Sequence, residues 1–187
     1  MSPEQILQTF RACGALLEGH FVLRSGLHSR QFFQCALLLK RPRLSSEICA
    51  ALADKVRGLA FDCVVSPAMG GILVGHDVAR HLDKPHIFAE KKDGQLVVRR
   101  FKIEPGTRFL VAEDVVTTGS AVKEVCEVVR AAGGVIAGVC SIVDRSGEAT
   151  PDFGAPFTSL LKLQVETFPA DRIPEDLQGI PATKPGS

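Results

Sequence analysis

The chain has 187 residues, of which 45% are hydrophobic and 23% are charged, so it is long and apolar enough to form a single domain with its own core. This composition excludes an intrinsically disordered chain and a small disulfide-stabilised scaffold. A formal net charge of +1 argues against a protein that binds nucleic acid through bulk positive charge.

Strand-like apolar stretches alternate with helical periodicity along the chain. Ser2, Pro3 and Gln5 have the form of an N-cap, a proline at the first helical position and a capping-box partner, so the first helix begins there. A serine, Ser45 or Ser46, is predicted to cap the second helix. Helices are predicted, in chain order, over residues 2–17, 45–58, 72–82 and 120–132. Strands are predicted over residues 21–23, 31–35, 62–66, 85–89, 109–113 and 135–143.

Three of the apolar strands, over residues 62–66, 109–113 and 135–143, are separated by long connections that contain helices. Parallel strands need such crossovers, so the pattern predicts an open, mostly parallel α/β sheet flanked by helices. Residues 1–187 are predicted as one domain, whose pattern of elements thins out after about residue 147.

The uncharged stretches and the cysteines indicate the compartment. The longest stretches without a charged residue, 63–76 and 131–143, are shorter than the roughly 18 apolar residues that a membrane span needs. The first residues lack the basic start and apolar core of a secretory signal, so the cytoplasm is predicted and no membrane partner is expected. The six cysteines form no Cys-x-x-Cys pair and lie in apolar runs, which favours small core residues over zinc ligands or disulfides.

The strongest motif follows the strand over residues 109–113, at the strand end where ligands bind in such sheets. Two adjacent carboxylates, Glu113 and Asp114, suit vicinal sugar hydroxyls or a hydrated divalent cation. The hydroxyl and glycine residues 117–120 then lead directly into a helix, whose first N–H groups suit a phosphate. A phosphorylated sugar satisfies both halves of the motif. The alternative is a Thr/Ser helix cap beside an incidental acidic pair.

Residues 113–121 resemble the phosphoribosyl pyrophosphate motif of the type I phosphoribosyltransferases. Residues 21–29, followed by Phe32 and Phe33, resemble the N-terminal signature of the orotate phosphoribosyltransferases, and Arg145 matches their strand-end arginine. The resemblance covers the chain from about residue 14 onwards. It implies a type I phosphoribosyltransferase-like fold with a small hood from about residues 1–40, a flexible lid hairpin over about 90–104 and a tail over about 171–187.

The resemblance implies transfer of ribose 5-phosphate from phosphoribosyl pyrophosphate to orotate, giving orotidine 5-monophosphate and pyrophosphate in pyrimidine biosynthesis. The residues implied for phosphoribosyl pyrophosphate are Arg24, Met69, Gly70, Glu113, Asp114, Val115, Val116, Thr117, Thr118, Gly119, Ser120 and Ala121. Those implied for orotate are Thr117, Arg145, Phe32 and Phe33. A guanidinium can bind the orotate carboxylate as a fork, whereas the ordinary interpretation is a surface arginine and two strand phenylalanines.

Two further segments complete the expected site. A glycine loop over residues 66–71 lies between a strand and a helix and suits a pyrophosphate approached by backbone N–H groups. Residues 90–104 carry five basic and three acidic residues, with a turn at Asp93 and Gly94. Such a hairpin is either a lid over the reacting centre or a solvated edge hairpin.

In this family the equivalent hairpin is catalytic and reaches into the partner's site. The resemblance therefore implies a homodimer with shared lids and makes catalytic candidates of Lys91, Lys92, Arg99 and Arg100. Magnesium is the implied cofactor, bound mainly through the substrate and not directly by protein side chains.

Other functions and sites weigh less. The histidines at 76, 81 and 86 recur every five residues, which on a helix places them on different sides and argues against a metal site. Within enzymes, a purine acceptor is the alternative, but Arg145 and residues 21–29 favour a carboxylate-bearing pyrimidine. A non-catalytic nucleotide-binding regulator would need a basic face, for which residues 40–43 are the one candidate. No nucleic-acid partner is therefore expected.

Overall fold

The computed structural model describes residues 1–23, 25–147 and 150–184, so the prediction made for Arg24 lies outside the described residues. The helices are α1 (Pro3–Ala12), α2 (Ala36–Leu39), α3 (Pro42–Val56), α4 (Gly70–Leu82), α5 (Ser120–Ala131) and α6 (Glu175–Gln178). The strands are β1 (Leu16–Val22), β2 (His28–Phe33), β3 (Cys63–Pro67), β4 (His86–Lys92), β5 (Gln95–Val97), β6 (Arg108–Val116), β7 (Val135–Asp144), β8 (Phe157–Lys162) and β9 (Thr167–Phe168).

Among the described residues, six strands form the main sheet in the order β5-β4-β3-β6-β7-β8. All neighbours are parallel except β5, which runs antiparallel to β4, and this confirms the predicted open, mostly parallel sheet. The chain moves from β3 to β4 in one direction and from β6 to β8 in the other. The crevice between the C-terminal ends of β3 and β6 is therefore the switch point at which such sheets bind ligands.

Helices cover both faces of the main sheet, and each face has its own core. On one face, side chains of α3 and α4, such as Leu52 and Val74, pack against Leu110 of β6. On the other face, Val125 of α5 packs against Val111, the next residue of β6. All six cysteines are buried with free thiols, as predicted for small core residues. Within the described part of the chain, no helix combines the length and apolar character needed to cross a bilayer.

A second sheet, here called the hood sheet, consists of β1, β2 and β9 in that order. The neighbouring strands are antiparallel. The C-terminal segment returns to its outer edge, where Val22 N donates to Thr183 O at 2.8 Å and Thr183 N donates to His20 O at 2.9 Å. The hood sheet thus joins residues from both ends of the described chain.

Two helix boundaries differ from the prediction. The capping box of α1 is present, but the helix ends at Ala12, not at residue 17, because Gly14 turns the chain with φ +77° and the apolar residues that follow form β1. Helix α3 begins at Pro42 in the first helical position, so Ser45 is a buried residue inside the helix and does not cap it. The sequence also gave no signal for β8, which adds a sixth strand beside β7.

Candidate active site

The glycine loop after β3 lies directly against the acidic pair near the end of β6. A Cβ atom at Gly70 would overlap the Asp114 carboxylate, at 2.7 Å from its Cγ, and a Cβ at Gly71 would lie 2.9 Å from Glu113 Oε1. Both positions therefore need glycine, and the two predicted motifs form one site. The Met69 side chain is 83% exposed, so it is the backbone of the loop that faces the acidic pair.

The two carboxylates differ in their environment. Glu113 is buried, at 8% exposure, and burial together with the adjacent charge of Asp114 raises its pKa well above the usual value. Asp114 N donates to Glu113 Oε1 at 2.9 Å, and Val115 N donates to Asp114 Oδ1 at 2.8 Å. The backbone thus fixes both side chains, and the pair offers acceptors to two neighbouring hydroxyl groups of a ligand.

The loop between β6 and α5 forms a small cavity of about 60 Å³, lined by Glu113 and residues 115–122. Gly119 is the N-cap residue, with φ +73°, and no side chain caps the helix there. Thr118 and Ser120 are joined by a hydrogen bond of 3.2 Å between their hydroxyls. Ser120 N donates to Thr118 Oγ1 in a long bond of 3.4 Å. The N–H groups of this first turn, together with the two hydroxyls, are the donors that an anion of phosphate size requires.

A larger cavity of about 430 Å³ adjoins this one, and Thr117 lines both. Its other lining residues are Arg145, Gly147 and residues 163–167. We call residues 163–167 the acceptor wall. Arg145 N donates to Val116 O at 2.7 Å, so the strand ends of β6 and β7 are joined at this cavity. The volume is in the usual range for a small-molecule site.

The Arg145 side chain is unusual because its Nε atom is buried without a hydrogen-bond partner among the described residues. Burial also lowers the pKa of its guanidinium. Leaving a charged donor unpaired is unfavourable, and a carboxylate in the cavity is the group that would satisfy it.

The hairpin of β4 and β5 confirms the predicted turn, with Asp93 at φ 52° and Gly94 at φ 86°. It lies beside the glycine loop, because Ala68 N donates to Ala89 O at 2.8 Å. The Arg99 and Arg100 side chains both bind Glu90, at 3.1 and 3.0 Å, and this lowers the pKa of Glu90.

The hairpin is attached to the domain through its second strand. The backbone N–H of Leu96 donates to the Glu124 carboxylate on α5, and the Leu96 side chain is buried. Lys91 and Lys92 are exposed at the end of β4. The hairpin is therefore attached to α5 through Leu96 and exposes Lys91 and Lys92 near its turn.

Phe32 and Phe33 lie outside the larger cavity, which Arg145 lines. The ring of Phe33 is buried 5.2 Å from that of Phe10, and the ring of Phe32 lies 5.8 Å from that of Phe21. Neither lines the cavity of Arg145, and their contact with orotate stays a prediction.

Of the three histidines, His76 and His86 lie edge to face, with ring centroids 6.2 Å apart, whereas His81 has other partners. His86 hydrogen-bonds to Ser66 at 3.1 Å, and His81 hydrogen-bonds to Ser46 at 3.1 Å. In the ranges that the structure describes, no cluster of three or more His, Cys, Asp or Glu side chains is arranged for a metal ion.

The acceptor wall is the part of the site that sequence reasoning missed. It follows β8 and consists of residues 163–166, which have no regular structure, and Thr167, the first residue of β9. No motif marks these residues, and their position depends on a strand that the sequence pattern did not predict.

The chain is similar to known proteins over most or all of its length. The sequence profile of the family described as "Phosphoribosyl transferase domain" matches residues 38–171. The orotate phosphoribosyltransferase of Sphingopyxis alaskensis is 48% identical over 191 residues, which cover 100% of this chain and 97% of that protein. The orotate phosphoribosyltransferase of Pelotomaculum thermopropionicum is 47% identical over 188 residues, covering 100% and 98%. The crystal structure of orotate phosphoribosyltransferase from Aeropyrum pernix has the same fold, with a TM-score of 0.67 at 24% identity, covering 84% of this chain and 93% of that one.

Proposed function

The chain belongs to the orotate phosphoribosyltransferases of the phosphoribosyl transferase domain family, and we propose that its two adjoining cavities hold the two substrates. As a pentosyltransferase of pyrimidine biosynthesis, it transfers ribose 5-phosphate from phosphoribosyl pyrophosphate to orotate, giving orotidine 5-monophosphate and pyrophosphate. The observation that supports the assignment of the cavities is that Thr117 lines both of them. Arg145, whose Nε has no hydrogen-bond partner among the described residues, lines the larger one.

Phosphoribosyl pyrophosphate binds in the smaller cavity and the adjoining crevice. The N–H groups and hydroxyls of residues 117–121 hold its 5-phosphate, and Glu113 and Asp114 accept hydrogen bonds from its ribose hydroxyls. The backbone at Met69 and Gly70 approaches the pyrophosphate, because a glycine at position 70 brings the loop against the acidic pair. These contacts hold the anomeric carbon at the mouth of the larger cavity.

Orotate binds in the larger cavity. The Arg145 guanidinium binds its carboxylate, which supplies the acceptor that Nε lacks among the described residues. Thr117 hydrogen-bonds to the ring, and orotate N1 faces the anomeric carbon. Orientation of the two substrates in adjoining cavities provides much of the rate enhancement of such a transfer.

Bond cleavage gives the anomeric carbon oxocarbenium character as pyrophosphate leaves with the bonding electrons. The side chains of Lys91, Lys92, Arg99 and Arg100 neutralise the negative charge that develops on the leaving group. The closed hairpin excludes water, which would otherwise hydrolyse the activated ribose. Since orotate is the nucleophile, no protein side chain has to form a covalent intermediate.

Magnesium is the proposed cofactor, and the residues present fit a substrate-bound ion. Asp114 and Glu113 offer carboxylate oxygens at the crevice, but two acidic side chains are fewer than a protein-held ion needs. The substrate would therefore have to supply most of the ligands of the ion. The ion contributes positive charge to the pyrophosphate group.

We assign the enzyme to the cytoplasm as a homodimer whose hairpins each serve the partner's site. Six buried free thiols support a reducing compartment. The exposure of Lys91 and Lys92 at the edge of the main sheet, where a partner subunit can approach them, supports the sharing of lids.

The function is tested by following the ultraviolet absorbance of orotate with purified protein, magnesium and phosphoribosyl pyrophosphate. Uracil, adenine, hypoxanthine and guanine are assayed in parallel by chromatography of the products. We expect orotate to be consumed only when all components are present. Consumption of a purine instead would refute the role given to Arg145. Binding of phosphoribosyl pyrophosphate without turnover of any base would indicate a regulator.

A further inference from the structure

Arg30 of β2 lies outside both cavities, yet two acidic residues from distant parts of the chain bind it. Its Nε and one terminal nitrogen donate to the two carboxylate oxygens of Asp176 on α6, each at 2.8 Å. Its other terminal nitrogen donates to Glu166 Oε2 at 2.6 Å. These bonds raise the pKa of Arg30 and lower that of Asp176. All three branches of the guanidinium are therefore used, in a geometry that only arginine provides.

Glu166 belongs to the acceptor wall, which needs support from outside the main sheet. The wall is joined to the main sheet where Leu163 N donates to Asp144 O at 2.8 Å, and it reaches the hood sheet at Thr167, which pairs with Ser29. Between these points the chain has no regular structure. The bonds from Ser29 Oγ to Glu166 O, at 2.8 Å, and from Arg30 to the Glu166 carboxylate hold this stretch from the hood side.

We propose that Arg30 is a positioning residue, which fixes the acceptor wall of the cavity that Arg145 also lines and is itself fixed by Asp176. The inference rests on the proposed function, in which this cavity holds orotate. Asp176 is not among the residues that line the cavity, so it acts on orotate only through Arg30. The C-terminal segment that carries α6 thereby contributes to the affinity for the acceptor.

Because the side chains of Arg30, Asp176 and Glu166 are exposed, their positioning role can be distinguished from a contribution to stability. The Arg30 side chain is 38% exposed, that of Asp176 is 56% exposed and that of Glu166 is 72% exposed. Exposed ion pairs contribute little to the free energy of unfolding. Loss of the Arg30 contacts is therefore expected to change the KM for orotate much more than the thermal midpoint.

The test compares Asp176→Asn, Arg30→Ala and the double variant by steady-state kinetics with each substrate varied in turn. We expect both single variants to raise the KM for orotate about fivefold and to change the KM for phosphoribosyl pyrophosphate less than about twofold. The double variant is expected to match Arg30→Ala, because both changes interrupt the same connection. Arg30→Lys should be intermediate, since an ammonium group cannot bind both oxygens of Asp176 and also reach Glu166.

Asp62→Asn provides the matched control. Asp62 binds Arg108 through the same two-pronged geometry, at 3.1 and 2.7 Å, but at the N-terminal end of β6, away from the site. An unchanged KM for orotate in this control supports the proposal. An equal rise in Asp62→Asn and Asp176→Asn, or no rise in Asp176→Asn and Arg30→Ala while the unchanged protein turns over orotate, would overturn it. Absence of orotate turnover in the unchanged protein would overturn the proposed function as well.

Discussion

At the scale of single residues, the site depends on groups whose interactions are incomplete within the described chain. Arg145 keeps a buried charged donor without an acceptor, and Glu113 keeps a buried carboxyl beside the charge of Asp114. Neither arrangement stabilises the fold by itself. Both are compensated when a ligand supplies the missing partner.

Replacing Arg145 by alanine is expected to separate binding from stability. A charge-assisted hydrogen bond contributes about 1.5–3 kcal/mol, so the KM for orotate should rise between about tenfold and a hundredfold. The thermal midpoint should not fall, because the change removes an unpaired buried donor. Arg145→Lys, which keeps the charge but loses the fork, is the control and should recover only part of the affinity. A large loss of thermal stability would show that Arg145 mainly supports the fold.

His86 is expected to make the protein less stable in weak acid. Burial, and then the neighbouring His76, lowers its pKa from 6.5 to about 4. Between these values the unfolded chain binds a proton that the folded chain does not, so the free energy of unfolding falls as the pH falls through this range. With allowance for partial exposure, we expect a loss of about 2 kcal/mol.

Chemical denaturation at a series of pH values measures this effect. His86→Gln should lose less stability than the unchanged protein as the pH falls from 6.5 to 4, because the contribution of Glu113, which has the opposite sign, is the same in both proteins. His76→Gln is the control and should keep most of the pH dependence, because burial is the main cause of the shift. Identical pH dependence in the unchanged protein and in His86→Gln would refute the assignment.

The sequence predicted the parts of the site that are continuous in the chain. Residues 113–121 contain both carboxylates and the hydroxyl loop, and one strand-loop-helix unit positions them. The contacts that join distant segments were not predictable in this way. The close approach of Gly70 to Asp114 depends on the pairing of β3 with β6. The use of Arg30 depends on Glu166 and Asp176, which are more than a hundred residues away in the chain.

At the scale of elements, burial of a strand decided how well it could be predicted. Strands β3, β6 and β7 are almost completely buried, so their apolar runs are unambiguous. In β8, at the edge of the sheet, only Leu160 and Leu161 are buried, which leaves too short an apolar pattern. The apolar residues after Gly14 form β1, although they continue the helical pattern of α1. A run of so few apolar residues fits both the helical and the strand periodicity.

Leu96 is expected to attach the hairpin to the core, so that its loss affects the hairpin and not the rest of the sheet. Its side chain is buried against the core cluster that includes Val122 and Val125 of α5. Truncation to alanine should cost the hairpin about 2 kcal/mol, since it removes buried apolar contacts at its base. The amides of β4 and β5 should then exchange hydrogen faster, whereas those of β6 and β7 should not.

Leu17→Ala is the matched control, because that leucine is 37% exposed and should leave exchange in the hairpin unchanged. Mass spectrometry of deuterium uptake makes the comparison. Uniform acceleration across the sheet in Leu96→Ala would contradict a local anchor.

At the scale of the whole molecule, the proposed shared lid predicts complementation between defective subunits. One variant carries Arg99→Ala and Arg100→Ala, and the other carries Thr117→Ala. In a mixed dimer, the intact lid of one subunit would serve the intact cavity of the other. After equal mixing about half of the dimers are mixed, and each has one complete site, so about a quarter of the normal activity should return.

The mixture is refolded or co-expressed and compared with each variant alone. Subunits mixed without exchange provide the control. Activity that stays at the level of the separate variants, although mixed dimers have formed, would contradict lid sharing.

The hood sheet also has a consequence for the order in which the protein folds. Its outer edge is bonded to Thr183, which is 163 positions from His20 in the chain. Bringing such distant segments together costs loop-closure entropy, so pairings of this kind form slowly. We therefore expect the main sheet to form before the hood sheet during refolding, and the orotate side of the site to be completed last.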